Sequence, residues 1–409
     1  MKIRVVLRFI ACGLLLAPVG PIATMQADLP PPTKIGVLAS ITGSGSSLGK
    51  STVAALEIAA DQIETATQGR QRFRLLVRDT QLIPSKALEA IKDLDSRGVK
   101  IVFGPQSSSE VAMIRSYADA HNILVISQGS TASSLAIPGD NIFRVCPNDR
   151  REAEAIVALM RHDGIRAIVP LWRNDAGNNG LHESVEVRFQ ALGGTVTRGF
   201  RYEPTTTNFS AATASVASQV ESLINAGRNP STVAVYIAAF DEVVDIFHSA
   251  SERTQRTHFE VSAYGSDGVA LSAALTGDST AATFAASAGY PNPIFGLPEA
   301  LRSEWQPIAD AIEARTGIEP DAFALSAYDA LFVVQRALRE ARPEQNFGNF
   351  KEAFVQKADA YHGITGSMAL DPAGDRLNGD FDFWVVRRQN GSFTWVRIGT
   401  YTNGVLRLF

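Results

Sequence analysis

The sequence predicts an α/β protein that contains two doubly wound parallel-sheet units in tandem. Short apolar segments alternate regularly with segments of helical periodicity from residue 34 to residue 265. The apolar segments are apolar throughout, which is typical of strands buried on both faces of a parallel sheet. A chain of 409 residues is long enough for two such units, since domains usually hold about 100 to 200 residues.

The first unit is predicted to begin at residue 34 and to end at the segment NIFRVCPNDR. Its expected strands cover 34–40, 72–79, 99–104 and 123–127. Its expected helices lie near 53–63, 88–94 and 109–120.

The second unit repeats the alternation, and the last third of the chain departs from it. Expected strands cover 166–172, 195–202, 232–239 and 259–265, and expected helices cover 150–162, 181–192, 209–226 and 241–252. Helices are then expected in succession near 298–315, 321–341 and 348–358. The Asn390-Gly391 pair between two alternating apolar stretches predicts a β-hairpin.

Composition excludes several classes of function. The net charge of -4 provides no basic surface for phosphate backbones, so nucleic acid is not expected as a partner. Two cysteines, Cys12 and Cys146, build neither a disulfide framework nor a thiolate zinc site, and the six histidines are scattered. The sequence therefore predicts no metal and no cofactor, with Cys146 as a buried small hydrophobe.

Residues 1–27 are predicted to be a secretory signal peptide. Lys2, Arg4 and Arg8 precede a short apolar run and then small residues, with cleavage expected after Ala27. The protein is accordingly expected in the periplasm. A lipid anchor on Cys12 is disfavoured, because that cysteine precedes the main apolar stretch.

The segment SGSSLGKS at 44–51 is a near match to a phosphate-binding loop, with Ser44 where the motif has glycine. Asp241 and Glu242, after a predicted strand, could serve such an enzyme by holding magnesium. The predicted export leads away from nucleotide pools and disfavours this reading. The alternative is a Gly/Ser-rich turn whose amides face a ligand. No GxSxG nucleophile elbow supports another enzyme.

Three turns offer polar groups at the carboxyl ends of predicted strands. GPQSSSE (104–110) fits a helix-capping box between Ser107 and Glu110, and SQGSTASS (127–134) leaves its strand in the same way. Helix capping alone would explain both turns. Alternatively, the amides and hydroxyls of the two turns converge on an anion. YGSDG (264–268) is either a simple Asp-Gly turn or a means of presenting Asp267 to a cation across a cleft.

An ordered set of segments resembles the periplasmic leucine/isoleucine/valine-binding proteins, the type I solute-binding proteins of ABC importers. The set includes KIGVLASITGSGSSLGKS, VKIVFGPQSSSEVA, ILVISQGSTAS, NIFRVCPNDR, RAIVPLWRNDAGNNGL, AYGSDGVA and GITGSMALDPAGDR. The resemblance covers nearly the whole chain after residue 27. It implies two lobes joined by a three-crossover hinge, with an N-lobe of 34–148 plus 289–363 and a C-lobe of 149–288 plus 364–409.

The resemblance also implies roles for four residues. Ser108 matches the serine that receives the ligand α-carboxylate. Gly129 and Thr131 match positions that hold both the carboxylate and the ammonium. Asp267 matches the acidic residue that pairs with the ammonium.

The remaining wall of the implied site is less like the family. Phe240 stands where relatives often have tyrosine, Gly177 stands where they commonly carry an aromatic that covers the ligand, and the family's early disulfide is missing. Leu48, Gln106 and Trp172 are the expected residues of the side-chain pocket.

These features predict a solute-binding protein of an ABC importer without catalysis of its own. The expected ligand is an amino acid or a related small carboxylate, and the expected partner is a membrane permease. A binding protein that reports its ligand to a membrane receptor would share the fold. An exported enzyme is the third alternative.

Overall fold

The structure is a computed structural model that describes residues 29–43, 45–254 and 261–409. The predicted signal peptide at 1–27 and Ser44 lie outside the described residues, as does the start of the strand predicted at 259–265.

The first lobe is built on a sheet of five parallel strands in the order β2-β1-β3-β4-β5, which confirms the predicted doubly wound unit. The strands are β1 Thr33–Ala39, β2 Phe73–Asp79, β3 Ile101–Phe103, β4 Leu124–Ser127 and β5 Ile142–Arg144. Both faces of this sheet are covered: Ile35 and Val37 point into one apolar core, and Leu38 into the core on the opposite face.

Among the described residues, six helices belong to the first lobe. They are α1 Ser46–Ala66, α2 Pro84–Ser96, α3 Ser108–Ala120, α10 Arg302–Thr316, α11 Ala322–Ala337 and α12 Phe347–Asp359. The last three come from the final third of the chain, and residues such as Leu331 and Phe350 complete the core that contains Ile35.

The second lobe contains a second parallel sheet in the order β10-β9-β6-β7, with β8 beside β6. Its strands are β6 Ala167–Arg173, β7 Thr195–Val196, β8 Phe200–Tyr202, β9 Val233–Ala238 and β10 Ser262–Tyr264. The single strand predicted at 195–202 is wrong, because the chain turns at Gly199 with a φ of 60°. A Cβ there would lie 2.2 Å from the Pro170 carbonyl oxygen, so only glycine fits.

Within the described ranges, six helices belong to the second lobe. They are α4 Asp149–His162, α5 Ala176–Ala191, α6 Ser210–Asn225, α7 Val243–Thr254, α8 Ala273–Gly277 and α9 Ser279–Ala288. Helix α5 begins five residues before its predicted start at 181, because the Asp175 side chain accepts a hydrogen bond from the Asn178 N–H and caps it.

An antiparallel sheet and a small ribbon complete the fold. The antiparallel sheet has the order β11-β14-β15-β16, with β11 Asn292–Gly296, β14 Asp380–Gln389, β15 Ser392–Thr402 and β16 Val405–Leu408; the ribbon pairs β12 His362–Gly363 with β13 Gly366–Ser367. The predicted hairpin is confirmed: Asn390 and Gly391 join β14 to β15 with φ angles of 51° and 87°.

The chain passes between the two lobes three times: after β5, near β11 and before β14. Residues 35–145 and 305–370 form one core, whereas residues 153–290 and 381–406 form the cores of the other lobe. The lobe boundaries at 148, 288 and 363 stay predictions, and Met368 and Leu370 still pack into the first core.

The Cys146 thiol lies buried beside the first crossover, where burial raises its pKa. Within the described ranges, no helix combines the length and the apolar character needed to cross a bilayer. In the same ranges, no group of three His, Cys, Asp or Glu side chains is placed to hold a metal ion.

Candidate ligand-binding site

A cavity of about 440 Å³ lies between the lobes, where the carboxyl ends of the two parallel sheets face each other. Its volume is in the range of small-molecule sites, about 300 to 1,000 Å³. Seven of the eight residues that the sequence predicted for the site line this cavity. They are Leu48, Gln106, Ser108, Gly129, Thr131, Phe240 and Asp267.

Ser108 is the first residue of α3 and faces the cavity from the first lobe. Its neighbour Ser107 caps the helix together with Glu110, which confirms the predicted capping box. The Ser108 Oγ accepts hydrogen bonds from the Ser130 Oγ and from the Ala132 N–H, both at 3.1 Å. With two donors already directed at that oxygen, the Ser108 hydroxyl hydrogen is left to donate to a ligand.

Gly129 brings the turn after β4 close to the turn after β3. A Cβ at this position would lie 2.8 Å from the Gln106 carbonyl oxygen, so a larger residue would push the two turns apart. Thr131 follows in the same turn, and its carbonyl oxygen accepts a hydrogen bond of 3.0 Å from the Asp149 N–H. The turn thereby places a hydroxyl and backbone amides at one end of the cavity.

Asp267 faces these donors from the second lobe, in the turn after β10. Its backbone N–H donates to the Glu152 Oε1 at 3.0 Å. Burial raises the pKa of Asp267 to about 6. Burial also raises the pKa of Glu152 well above its ordinary value, and repulsion from Asp267 and Asp149 adds to that effect.

Asp149 is the third carboxyl group of this acidic cluster and is 0% exposed. Burial raises its pKa to about 7, and repulsion from Asp267 acts in the same direction, while the Thr131 hydroxyl opposes it. At neutral pH the Asp267 carboxyl is therefore mostly ionised, while burial and repulsion favour the neutral form of Glu152. The floor of the cavity carries negative charge that suits a ligand ammonium.

Arg173 lines the cavity near Phe240, with its guanidinium carbon 5.3 Å from the ring centroid. Its Nε lies 2.8 Å from the Asp175 Oδ2, and its Nη1 lies 3.3 Å from the Glu242 Oε1. Two carboxylates of its own lobe therefore balance the charge of Arg173.

The structure does not place Trp172 at the cavity, which corrects the expectation that it lines the side-chain pocket. The indole packs edge-on against His182, with ring centroids 3.8 Å apart, and its Nε1 donates to the Asn179 Oδ1 at 2.9 Å. Successive side chains of a strand point to opposite faces, and in β6 the residue on the cavity side is Arg173.

Gly177 lies at the edge where the lobes meet. A Cβ on it would be 3.6 Å from the Ser108 Oγ, in ordinary contact. Next to it, the Ala176 N–H donates to the Ser109 Oγ at 3.2 Å and links α5 to α3 across the cleft. The absence of a side chain at Gly177 leaves space beside Ser108.

The segment that nearly matches a phosphate-binding loop has a packing role. A Cβ at Gly49 would lie 1.9 Å from the Ser40 carbonyl oxygen, so glycine lets α1 pack against the end of β1. Lys50 is exposed and does not line the cavity. Asp241 lines the cavity and accepts a hydrogen bond of 2.7 Å from the Ser272 Oγ.

Sequence reasoning missed Asp149, Glu152, Arg173 and Gln128. The two acids stand in the first turn of a helix, where acidic residues are common on protein surfaces because they complement the helix dipole. Their position directly after the first crossover is the signal that could have identified them.

A ligand-sized cavity between the carboxyl ends of two parallel sheets, in lobes that the chain joins three times, defines the class of two-lobed binding proteins. The chain belongs to the periplasmic binding protein family, whose model matches residues 32–392. Proteins of this family bind solutes, in agreement with the expectation that this chain is not an enzyme.

Individual relatives are distant in sequence and cover nearly the whole chain. An uncharacterized protein of Methanocaldococcus jannaschii, MJ1266, is 23% identical over 90% of this chain and 89% of its own length. The branched-chain amino acid binding protein LivJ of Streptococcus pneumoniae, solved with isoleucine, aligns with a TM-score of 0.71 at 20% identity, covering 90% of this chain and 100% of its own.

Two further structures show the same fold. The leucine-binding protein LivK of Thermotoga maritima has a TM-score of 0.69 at 20% identity and covers 89% of this chain and 97% of its own. A solute-binding protein of an R. palustris ABC transporter, solved with benzoate, has a TM-score of 0.69 at 18% identity and covers 90% of this chain and 96% of its own.

Proposed function

We propose that this protein captures an amino acid in the interlobe cavity, outside the cytoplasm, and delivers it to the membrane permease of an ABC importer. The observation that carries the proposal is the opposition of two kinds of group across the cavity. Ser108 and the turn at 129–131 offer donors on one lobe, and Asp267 offers a carboxylate on the other. An α-carboxylate suits the first set, and an α-ammonium suits the second.

Closure around the ligand gives the signal that a permease can read. A ligand that contacts both lobes binds the closed state more tightly than the open state and shifts the population toward it. The relatives solved with isoleucine and with benzoate are consistent with a small carboxylate as ligand. The acidic cluster of Asp149, Glu152 and Asp267 favours a ligand that also has an ammonium.

A ligand screen tests the proposal. The purified protein would be heated with individual amino acids, their amides and aromatic acids, and hits would be titrated by calorimetry. A ligand at 100 times its Kd should stabilise the protein by about 2.7 kcal/mol. Stabilisation by benzoate-like acids and by no amino acid would overturn the amino-acid assignment.

Cell fractionation tests the location. The mature protein is expected in the periplasmic fraction, with an N-terminus near Asp28 after removal of residues 1–27. Recovery of the full-length chain in the cytosol would contradict this part of the proposal.

A further inference from the structure

We propose that the side chain of the bound amino acid carries a cationic nitrogen, an amine or a guanidinium, and that Asp241 and Gln106 select it. This inference rests on the proposed function, because it assigns the half of the ligand that the Ser108 and Asp267 groups do not contact. It follows from the unmet hydrogen-bond acceptors and the charge of the cavity wall.

Two amide oxygens in the first-lobe wall have no hydrogen-bond partner among the described residues. Gln106 and Gln128 are 7% and 1% exposed and both line the cavity. Their Nε2 groups donate to the Gly45 carbonyl oxygen and to the Thr52 Oγ1, each at 3.3 Å. Among the described residues, neither Oε1 receives a hydrogen bond. A ligand donor would satisfy acceptors whose burial is otherwise unfavourable.

The orientation of Gln106 is fixed by its neighbour. The Gly45 carbonyl oxygen can only accept, so the Gln106 amide nitrogen must face it, and the amide oxygen must be the free end. Gly45 permits this approach, since a Cβ on it would lie 2.8 Å from the Gln106 Nε2. At Gln106, the first-lobe wall therefore presents an acceptor to a ligand donor.

The opposite wall is acidic. Three carboxylates line it, from Asp175, Asp241 and Asp267, and Arg173 is the one cation among the described lining residues. Arg173 is already paired with Asp175 and Glu242. Within the described part of the chain, the Asp241 carboxylate receives one hydrogen bond, from the Ser272 Oγ, and has no ion pair. One cation on the ligand would meet Asp267, and a second would meet Asp241.

The unpaired acceptors and the acidic residues of the cavity wall disfavour two other kinds of ligand side chain. A side-chain carboxylate would find no unpaired cation among the described lining residues and would be repelled by Asp241. An aliphatic side chain would leave the Gln106 oxygen and the Asp241 carboxylate without partners after closure excludes water, which costs affinity.

Calorimetric titration of the mature protein with lysine, arginine, norleucine and glutamate tests the inference. Norleucine has the four-carbon chain of lysine without the terminal nitrogen. Lysine or arginine is expected to bind at least about tenfold more tightly than norleucine. Glutamate is expected to bind more weakly than the cationic ligand and more weakly than norleucine. Asp241→Asn should weaken the cationic ligand by about tenfold or more and change norleucine little, because Asn keeps the acceptor for Ser272.

Asp245→Asn is the matched control, since it removes an exposed acid of α7 that does not line the cavity, and it should leave both affinities unchanged. Norleucine or leucine binding as tightly as lysine, or a lysine preference that survives Asp241→Asn, would overturn the inference and leave the proposed function standing. Failure of every amino acid to bind would overturn the proposed function itself.

Discussion

The Asp267 N–H donates to the Glu152 Oε1 at 3.0 Å and joins the turn after β10 to the first turns of α4. This bond brings two carboxyl groups from separate elements together beside the cavity that Asp267 lines, with Asp149 as the third. Buried like charges oppose ionisation, so the empty site retains protons that the unfolded chain would release. The acidic cluster has consequences for stability as well as for binding.

The first prediction is that Asp149→Asn stabilises the ligand-free protein clearly more at pH 8 than at pH 5. The folded pKa is about 7, against 3.8 for an ordinary aspartate. Since the folded state binds more protons, the stability linked to this group is full below about pH 4 and falls as pH rises through 7. The shift of about three pKa units sets an upper limit of about 4 kcal/mol on the gain at pH 8, because one pKa unit corresponds to about 1.4 kcal/mol.

Urea unfolding at both pH values would measure the effect, with Glu154→Gln as control. Glu154 lies on the same helix but is 37% exposed at its side chain, and its replacement should change stability little at either pH. An equal gain at pH 5 would show that Asp149 acts through packing rather than through its charge.

The second prediction concerns the glycine in the segment that nearly matches a phosphate-binding loop. Gly49→Ala should destabilise the fold by about 1 to 3 kcal/mol, because the added methyl meets the Ser40 backbone oxygen and the helix must move. Lys50→Ala, one residue on, should change stability by less than about 0.5 kcal/mol and leave ligand affinity unaltered. Magnesium-dependent nucleotide hydrolysis that disappears in Lys50→Ala would refute this interpretation.

The third prediction is a large cost for breaking the buried ion pair between Arg144 and Asp375. The Arg144 Nε donates to the Asp375 Oδ1 at 2.5 Å, and both side chains are almost fully buried. Asp375→Ala should destabilise the protein by about 3 to 5 kcal/mol, since it leaves a buried guanidinium unpaired. Denaturant unfolding would compare it with Asp61→Ala, which breaks an exposed pair with Arg315 and should cost under about 1 kcal/mol.

Features with a local signature could be predicted from the sequence. The capping box at Ser107 and Glu110 depends on residues three apart, and the hairpin at Asn390 and Gly391 depends on two residues that adopt positive φ. The parallel sheets were also predictable, because strands buried on both faces are apolar throughout.

Two kinds of feature could not be predicted: the face of a strand on which a side chain lies, and burial that arises from packing between distant segments. Trp172 and Arg173 are adjacent, and a one-residue change of register exchanges their faces. Asp149 and Glu152 have the sequence signature of a solvated helix start, and their burial arises only from packing between α4 and the turn that holds Asp267.

The last prediction concerns the roles of Asp267 and Ser108 in binding a ligand that has both an ammonium and a carboxylate. Asp267→Asn keeps the size of the side chain but removes the charge, and it should weaken such a ligand by roughly 30-fold or more, since an unpaired buried charge costs about 2 to 5 kcal/mol. Ser108→Ala should have a smaller effect, about tenfold, because the neighbouring backbone amides still face the carboxylate. Titration with the ligand and with its deaminated analogue separates the two roles. The analogue lacks the ammonium and should be insensitive to Asp267→Asn, yet it should still lose affinity in Ser108→Ala. If Asp267→Asn left the affinity of the intact ligand unchanged, the physiological ligand would have no ammonium, and the site would be that of a simple carboxylate.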